Sequence, residues 1–194
     1  MRIVAGEMKG RAIAAPEGSD TRPTTDRVRE ALFSSLYSLL GGFEGLRVLD
    51  AFAGSGALGI EALSRGAASA LFCERDGKAA SVLKRNLATC GLGSDRARVV
   101  VKDAFKAVPG GIGGACDLVF LDPPYAYDPA DVIEFTDNLF EAGAAAQDAV
   151  VVYEHDAKRA GELAEAAAQR GFEVLSTKKY GKTSVAFLRR SSRG

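Results

Sequence analysis

The segment "DPPY", residues 122–125, places an acid, two prolines and an aromatic ring at the end of an apolar run. A nucleobase amine is a weak nucleophile because its lone pair is delocalised into the ring. The Asp122 side chain and the Pro123 carbonyl can accept both N–H bonds of such an amine, which lets its nitrogen become tetrahedral. Pro123 and Pro124 fix the backbone, and Tyr125 can stack on the base. We therefore predict that these four residues are catalytic; a strand stop followed by a turn is the structural alternative.

A glycine loop lies earlier in the chain. The segment "VLDAFAGSGALGIEAL" has the spacing GxGxxG at Gly54, Gly56 and Gly59, with Glu74 some 20 residues further on. This spacing matches the dinucleotide fingerprint, although a purely structural tight turn needs the same glycines. Asp50 directly precedes the loop, where a carboxylate suits a cation better than a pyrophosphate. S-adenosylmethionine carries an α-ammonium, a sulfonium and no phosphate, so we predict it as the cofactor.

Three successive predicted strands finish in an acid, at the sheet edge where open α/β folds bind ligands. Asp50 suits the cofactor's cation, Glu74 can accept both ribose hydroxyls, and Asp103 can accept from the adenine amine. Acids at strand ends also serve as helix caps, which is the structural alternative. Neighbouring residues complete the predicted cofactor site: Phe52, Ala53, Gly54, Gly56, Arg75 and Ala104.

The elements that position these residues alternate between short apolar runs and amphipathic stretches, which predicts a parallel sheet covered by helices on both faces. Predicted strands cover residues 46–51, 69–74, 97–102, 117–122, 149–154, 173–179 and 184–190. Predicted helices cover residues 57–65, 77–90, 130–142 and 157–170. The last two strands are joined by the short turn "YGKT", so the final strand is expected to be antiparallel. The predicted fold class is therefore a doubly wound α/β sheet.

The first 42 residues differ from this pattern and predict an extension packed on the core. Short runs around Gly6 and Gly10 predict a small hairpin, and the apolar spacing of residues 26–40 predicts a helix capped by Thr25 or Asp26. Residues 43–190 form the predicted catalytic domain, and residues 191–194 a disordered tail.

Composition narrows the class of protein further. The chain has 194 residues, 47% of them hydrophobic, and its 25 acids balance its 25 bases, so overall charge indicates no nucleic-acid or membrane partner. Both ends are basic: residues 176–194 carry six Lys/Arg and no acid. If the ends met, they could form a phosphate-binding patch. Three unpaired cysteines and the lack of a signal peptide or membrane span predict a cytoplasmic protein. The lone His155 is assigned no role.

These motifs together resemble a known family. "DAFAGSG" with "DPPY" resembles the class I methyltransferases that modify exocyclic amines with S-adenosylmethionine. "RPTTDRVREALFSSL", "FAGSGALGIEALSRGA", "KKYGKTSVAFL" and the opening "RIVAGEMKGR" are similar to the bacterial family that methylates guanine N2 in 16S ribosomal RNA. The resemblance implies a seven-stranded sheet in the order 3-2-1-4-5-7-6 with strand 7 antiparallel, and ribosomal RNA, within an assembling small subunit, as the partner. We expect a monomer with no metal.

The resemblance also implies which residues bind the cofactor and which bind the RNA. The cofactor's carboxylate is expected to bind to Arg22, Thr24 and Thr25. Arg22 is also a candidate for binding the RNA substrate. Candidates for RNA phosphates are Lys9, Arg11, Arg27, Arg29, Lys178, Lys179 and Lys182. Phe105 and Tyr180 are candidates for stacking or simple packing. The competing hypotheses are a DNA amine methyltransferase, a nicotinamide-dependent oxidoreductase and a non-enzymatic RNA-binding protein.

Overall fold

The computed structural model describes residues 1–16, 26–106 and 113–191. Its strands are β1 (Arg47–Asp50), β2 (Ser69–Cys73), β3 (Ala97–Val100), β4 (Cys116–Leu121), β5 (Ala145–Asp156), β6 (Phe172–Tyr180) and β7 (Thr183–Arg190). Its helices are α1 (Asp26–Leu40), α2 (Ala57–Ser64), α3 (Gly77–Thr89), α4 (Pro129–Glu141) and α5 (Ala160–Gln169).

The strands form one sheet in the order β3-β2-β1-β4-β5-β7-β6. Strands β1 to β5 are mutually parallel, whereas β7 runs antiparallel to both β5 and β6. The predicted fold class, strand order and direction of the last strand are confirmed. Because β1 to β4 are parallel, their carboxyl ends lie at one edge of the sheet, where the predicted acids also lie.

Each face of the sheet is buried by its own helices. Helices α1, α2 and α3 cover one face, where Phe33, Ile60 and Leu83 pack against Phe72 and Phe120. Helices α4 and α5 cover the other face with another set of apolar side chains, which includes Ile133, Leu139 and Leu163. The strand residues alternate between these two clusters, as the period-two geometry of a strand requires.

Local sequence signals explain where the helices begin. The Asp76 side chain accepts a hydrogen bond from Ala79 N at 2.7 Å and caps α3. Asp128 accepts from Ala130 N and caps α4, whose first residue is Pro129. A proline is tolerated there because the first amides of a helix have no intrahelical acceptor.

The N-terminal segment pairs with itself through one isolated bridge between Arg2 and Ala12. Ile3 N donates to Arg11 O, and Gly10 N donates to Ile3 O. The bridge does not extend into a longer pair of strands in the described segment, where several amides bond to α2 instead. Val4 N and Ala5 N both donate to the Glu61 carboxylate. We propose that residues 1–42 are an extension of a domain that spans residues 43–190.

Two element boundaries differ from the sequence prediction by more than two residues. Strand β5 begins at Ala145 rather than at residue 149, and Ala145 pairs with Cys116 across a register shift. The small and polar residues "AAQD" carry no strand signal. Residues Ala157–Arg159 form a 3₁₀ turn, so α5 begins at Ala160.

The cysteines and the predicted tail complete the comparison. Cys73, Cys90 and Cys116 are all free and buried, as predicted. Thr25 and residues 192–194 of the predicted tail lie outside the described residues. In the described ranges, no helix combines the length and apolarity needed to cross a bilayer.

Candidate active site

A cleft of about 1090 Å³ opens at the carboxyl edge of the sheet. The segments that follow β1, β2, β3 and β4 all contribute to its lining. Sequence-predicted residues that line it are Asp50, Phe52, Ala53, Gly54, Glu74, Arg75, Asp103, Ala104, Asp122 and Pro124. The fold thus brings most of the predicted cofactor residues and two of the predicted catalytic residues into one space.

The glycine loop turns the chain from β1 into α2. Gly54 and Gly56 have φ of +52° and +81°, in the left-handed region that favours glycine. Gly56 does not line the cleft, although the sequence placed it in the cofactor site. A Cβ at Gly56 would lie 2.2 Å from Leu83 Cδ1, so this glycine allows α3 to pack against the loop.

Asp50 is buried at the end of β1, with 2% of its surface exposed. Its Oδ2 accepts a hydrogen bond from Gly59 N at 3.0 Å. Burial raises the pKa of Asp50 to about 7; the Gly59 amide lowers it in part, and the nearby Glu74 carboxylate raises it. A buried carboxylate with so little compensation would be stabilised by a cation in the cleft.

Glu74 and Asp103 hold the next two positions along the cleft. Glu74 Oε2 accepts from Gly54 N and its Oε1 accepts from Asp76 N, both at 2.8 Å. These bonds fix the carboxylate and leave a lone pair on each oxygen for a ligand hydroxyl. Asp103 Oδ1 accepts from Phe105 N at 3.1 Å, and its side chain also lines the cleft.

An aromatic cluster lies beside these acids. Phe105 and Tyr127 stack with ring centroids 4.8 Å apart and planes 10° apart, and Phe52 lies 5.5 Å from Phe105. Arg75 Nη1 donates to the Tyr127 hydroxyl at 2.8 Å. Sequence reasoning missed Tyr127, although it lies only two residues after Tyr125 in "DPPYAY". Phe105 packs against these two rings of the protein. Of its two predicted roles, packing is therefore the one that the structure supports.

The four residues of "DPPY" divide between two sides of the loop. Asp122 and Pro124 line the main cleft. Pro123 and Tyr125 line a small adjacent pocket of about 10 Å³, which Pro124 also borders. The Tyr125 ring is 46% exposed, and its hydroxyl lies 2.5 Å from Thr183 Oγ1. Tyr125 is therefore held beside the turn of the β6–β7 hairpin and is open to solvent on one side.

The Asp122 carboxylate is electrostatically destabilised. Burial raises its pKa well above the usual range, and the neighbouring Glu154 and Asp50 carboxylates raise it further. Among the described residues, none donates a hydrogen bond to the Asp122 side chain. An N–H donor from a ligand would supply what the protein leaves out.

The sequence did not predict a buried ion pair between Arg29, which lines the cleft, and Glu61. Arg29 is fully buried, and its Nε lies 3.7 Å from Glu61 Oε2. Its Nη2 donates to Asp26 at 2.7 Å and also to Arg2 O. The prediction that Arg29 contacts RNA phosphates is wrong, because this guanidinium anchors the N-terminal segment. Glu61 could have been noticed in the sequence as the single acid inside the apolar run "ALGIEALS", which indicates a buried carboxylate with a partner.

The remaining basic candidates lie on the surface. The exposed residues are Lys9, Arg11, Arg27, Lys178, Lys179 and Lys182. Arg11 donates to Thr89 O at the end of α3, whereas Lys182 O accepts from Ala157 N beside the end of β5. Their contact with RNA phosphates stays a prediction. Tyr180 is half-buried against the α1 side of the core, and Arg22, Thr24 and Thr25 lie outside the described residues.

In the described part of the chain, no group of His, Cys, Asp and Glu side chains could hold a metal ion. His155 is buried, and its Nδ1 lies 2.9 Å from Asp156 O. Burial lowers the pKa of His155. Asp50, Glu74, Asp103 and Asp122 are the strand-end acids that line the cleft.

Comparison with known proteins gives consistent matches over nearly the whole chain. The family described as "Conserved hypothetical protein 95" matches residues 1–189. A Bacillus subtilis (strain 168) protein named "Putative rRNA methyltransferase YlbH" is 38% identical over 193 residues, covering 98% of this chain and 99% of that protein. "Ribosomal RNA small subunit methyltransferase D" of Escherichia coli (strain K12) is 40% identical over 153 residues, covering 79% of this chain and 73% of that protein.

A solved structure supports the same grouping. It is named "Putative methyltransferase yhhF from Escherichia coli" and is 33% identical to this chain. The superposition has a TM-score of 0.77 and covers 100% of this chain and 99% of that one. The likeness therefore includes the N-terminal segment as well as the sheet.

Proposed function

The chain belongs to the family described as "Conserved hypothetical protein 95", and from this membership we propose that it methylates the exocyclic N2 amine of a guanine in 16S ribosomal RNA. Relatives of this chain are named as ribosomal RNA methyltransferases, and it is an S-adenosylmethionine-dependent enzyme of that kind. The guanine base, its N2 position and an assembling small subunit as substrate are the proposed parts. One observation supports amine methylation in this cleft: Asp122, which accepts no hydrogen bond from the described residues, lines the same cleft as the buried Asp50.

The cleft fits S-adenosylmethionine by volume and by charge. About 1090 Å³ is at the upper end of the usual size of small-molecule sites, which leaves room for a base beside the cofactor. Asp50 would hold the α-ammonium, Glu74 the ribose hydroxyls and Asp103 the adenine amine. When bound, S-adenosylmethionine supplies an electrophilic methyl group and leaves as a neutral thioether.

The residues of "DPPY" would activate the amine. Asp122 and the Pro123 carbonyl accept its two N–H bonds and so restore the nitrogen lone pair for attack. The nitrogen becomes cationic as the N–C bond forms and then gives up one proton. The raised pKa of Asp122 makes its carboxylate a competent acceptor for that proton. Tyr125, exposed beside Pro124 of the cleft lining, can stack on the displaced base.

A nicotinamide-dependent oxidoreductase is disfavoured by the start of α2. A pyrophosphate would need the free amides of this helix N-terminus. Gly59 N already donates to Asp50, and Gly54 N already donates to Glu74. Two protein carboxylates therefore occupy the amides that a dinucleotide would use, and their negative charge would repel a phosphate.

A DNA amine methyltransferase is distinguished by its substrate. The protein and labelled S-adenosylmethionine are incubated separately with naked 16S rRNA, with small subunits that lack this methyl group and with duplex DNA. We expect label in RNA, recovered after digestion as N2-methylguanosine. Label in DNA alone, or at another position of the base, contradicts the proposal.

Two variants test the assigned roles. Asp122→Ala should lower kcat by about 100-fold or more while the cofactor Kd stays within about threefold, because Asp122 acts on the amine. Glu74→Ala should mainly raise the cofactor Kd. Asp148→Ala, at an exposed acid in the first half of β5, is the matched control and should change neither quantity. Equal loss of cofactor binding in both test variants would show that the roles are misassigned.

A further inference from the structure

Three acids form a row along one face of the sheet. Asp50 ends β1, Asp122 follows the end of β4, and Glu154 lies two residues before the end of the neighbouring strand β5. Leu121 of β4 pairs with Tyr153 of β5 in parallel register. Residues 122 and 154 follow that pair, so both side chains point to the face that buries Phe120 and Val152. The row runs from the proposed cofactor cation site, through the proposed amine acceptor, to Glu154.

Glu154 has almost no hydrogen-bond partner in the described structure. Its side chain is half-buried, and the one contact to its carboxylate is the Tyr125 hydroxyl, at 3.5 Å from Oε1. That hydroxyl lies much closer to Thr183, at 2.5 Å. Burial raises the pKa of Glu154, as expected for a carboxylate that lacks donors. A ligand with a second N–H group would satisfy it.

Guanine carries such a donor beside the amine that is methylated. Its Watson–Crick edge presents N1–H next to the N2 amine, and both are donors. Adenine and cytosine instead place a ring nitrogen with a lone pair next to their amine. Adjacent parallel strands lie about 4.8 Å apart, so carboxylates at their ends can bond to neighbouring groups of one base. A carboxylate facing a lone pair would be repelled.

We propose that Glu154 accepts a hydrogen bond from guanine N1–H and thereby selects guanine as the methylated base. The inference rests on the proposed function and adds the residue that sets base specificity. Asp122 holds the reacting amine, and Glu154 recognises its neighbour. A merely structural role for Glu154, as a weak partner of Tyr125, would leave base discrimination unchanged.

The test compares two bases at the methylated position. After that guanine is mapped, RNA is prepared with guanine or with 2-aminopurine there; 2-aminopurine keeps the N2 amine but has a lone pair at N1. We expect the wild-type enzyme to prefer guanine by about 10-fold to 100-fold in kcat/KM, the range that a good base contact provides. Glu154→Gln should reduce this preference to about threefold or less, because a glutamine can rotate to donate to the N1 lone pair.

Comparing the two preferences isolates the N1 contact, because other differences between the bases, such as O6, affect both enzymes alike. Glu173→Gln, at an exposed glutamate of β6, is the matched control and should keep the wild-type preference. Tyr125→Phe should keep it too, because the Glu154 carboxylate remains. If transfer by Glu154→Gln is too slow to measure, competition between the two RNAs for binding gives the ratio of their affinities, which is then compared with the same ratio for the wild-type enzyme.

The outcomes separate this inference from the proposed function. An unchanged preference in Glu154→Gln, including equal loss on both bases, overturns the role of Glu154 and leaves the proposed function standing. A wild-type enzyme that makes no N2-methylguanosine overturns both. Loss of cofactor binding in Glu154→Gln would show that Glu154 belongs to the cofactor site and not to the base site. That result would also overturn its proposed role.

Discussion

The charge of Asp50 should control how tightly the cofactor's amino-acid end binds. Asp50 has a pKa of about 7 in the ligand-free protein because it is buried, so much of it is protonated at neutral pH. An ammonium group binds only the ionised form with full strength. Cofactor affinity should therefore rise as the pH rises toward 7, and the size of the rise follows from the pKa.

The ionised fraction sets the magnitude. With a pKa of about 7, about 3% of Asp50 is ionised at about pH 5.5 and about half at about pH 7. Apparent affinity scales with the competent fraction, so the Kd should fall about 15-fold across this interval. The α-ammonium has an ordinary pKa of about 7.7–8.0 and stays charged over that range.

The assay is isothermal titration with S-adenosylhomocysteine, which has the ammonium but no sulfonium, so the charge of Asp122 has little influence. 5′-Methylthioadenosine lacks the amino-acid part and should show no such dependence. Asp50→Asn should bind S-adenosylhomocysteine weakly at every pH in this range. A pH-independent Kd in the wild-type protein, or the same slope with 5′-methylthioadenosine, would refute the assignment of Asp50.

Two further predictions concern stability. Glu61→Gln should lower the free energy of unfolding by about 3–5 kcal/mol, because it removes the one fully buried carboxylate that faces the buried Arg29 and leaves only the exposed Asp26 as its ion-pair partner. Urea unfolding checks this, with the exposed Glu165→Gln as the control. Equal stability of the two variants would be the contrary result. Gly59→Ala should cost about 1–3 kcal/mol, because its Cβ would lie 2.3 Å from the ring of the buried Phe72. Gly161→Ala is the control and should be neutral or stabilising, because nothing lies within 4 Å of the added Cβ. Equal melting temperatures of the two variants would contradict the predicted clash at Gly59.

Much of the fold follows from local sequence signals. Helix α1 covers the predicted residues 26–40, and the seven predicted strands all form. The alternation of apolar and amphipathic stretches was sufficient for β1, β2, β4, β5 and β7 because these strands are largely buried. The predicted start of β5 was wrong. Ala145 joins the sheet by pairing with Cys116, a contact that no local sequence pattern reveals.

The site was predictable where residues follow a strand. Asp50, Glu74, Asp103 and Asp122 meet in the cleft because parallel strands end at one edge. Glu154 carried the same signal, since it closes a predicted strand, but it was not recognised. Arg29 and Glu61 could not be paired from sequence, because their contact depends on how the N-terminal segment folds across α2.

The most direct measurement is mass spectrometry of the nucleosides from small-subunit RNA after incubation with the protein and isotope-labelled S-adenosylmethionine. We expect one labelled species, N2-methylguanosine, which is formed by the wild-type enzyme and absent with Asp122→Ala. Label on another base, or an equal yield with Asp122→Ala, would contradict amine activation by Asp122.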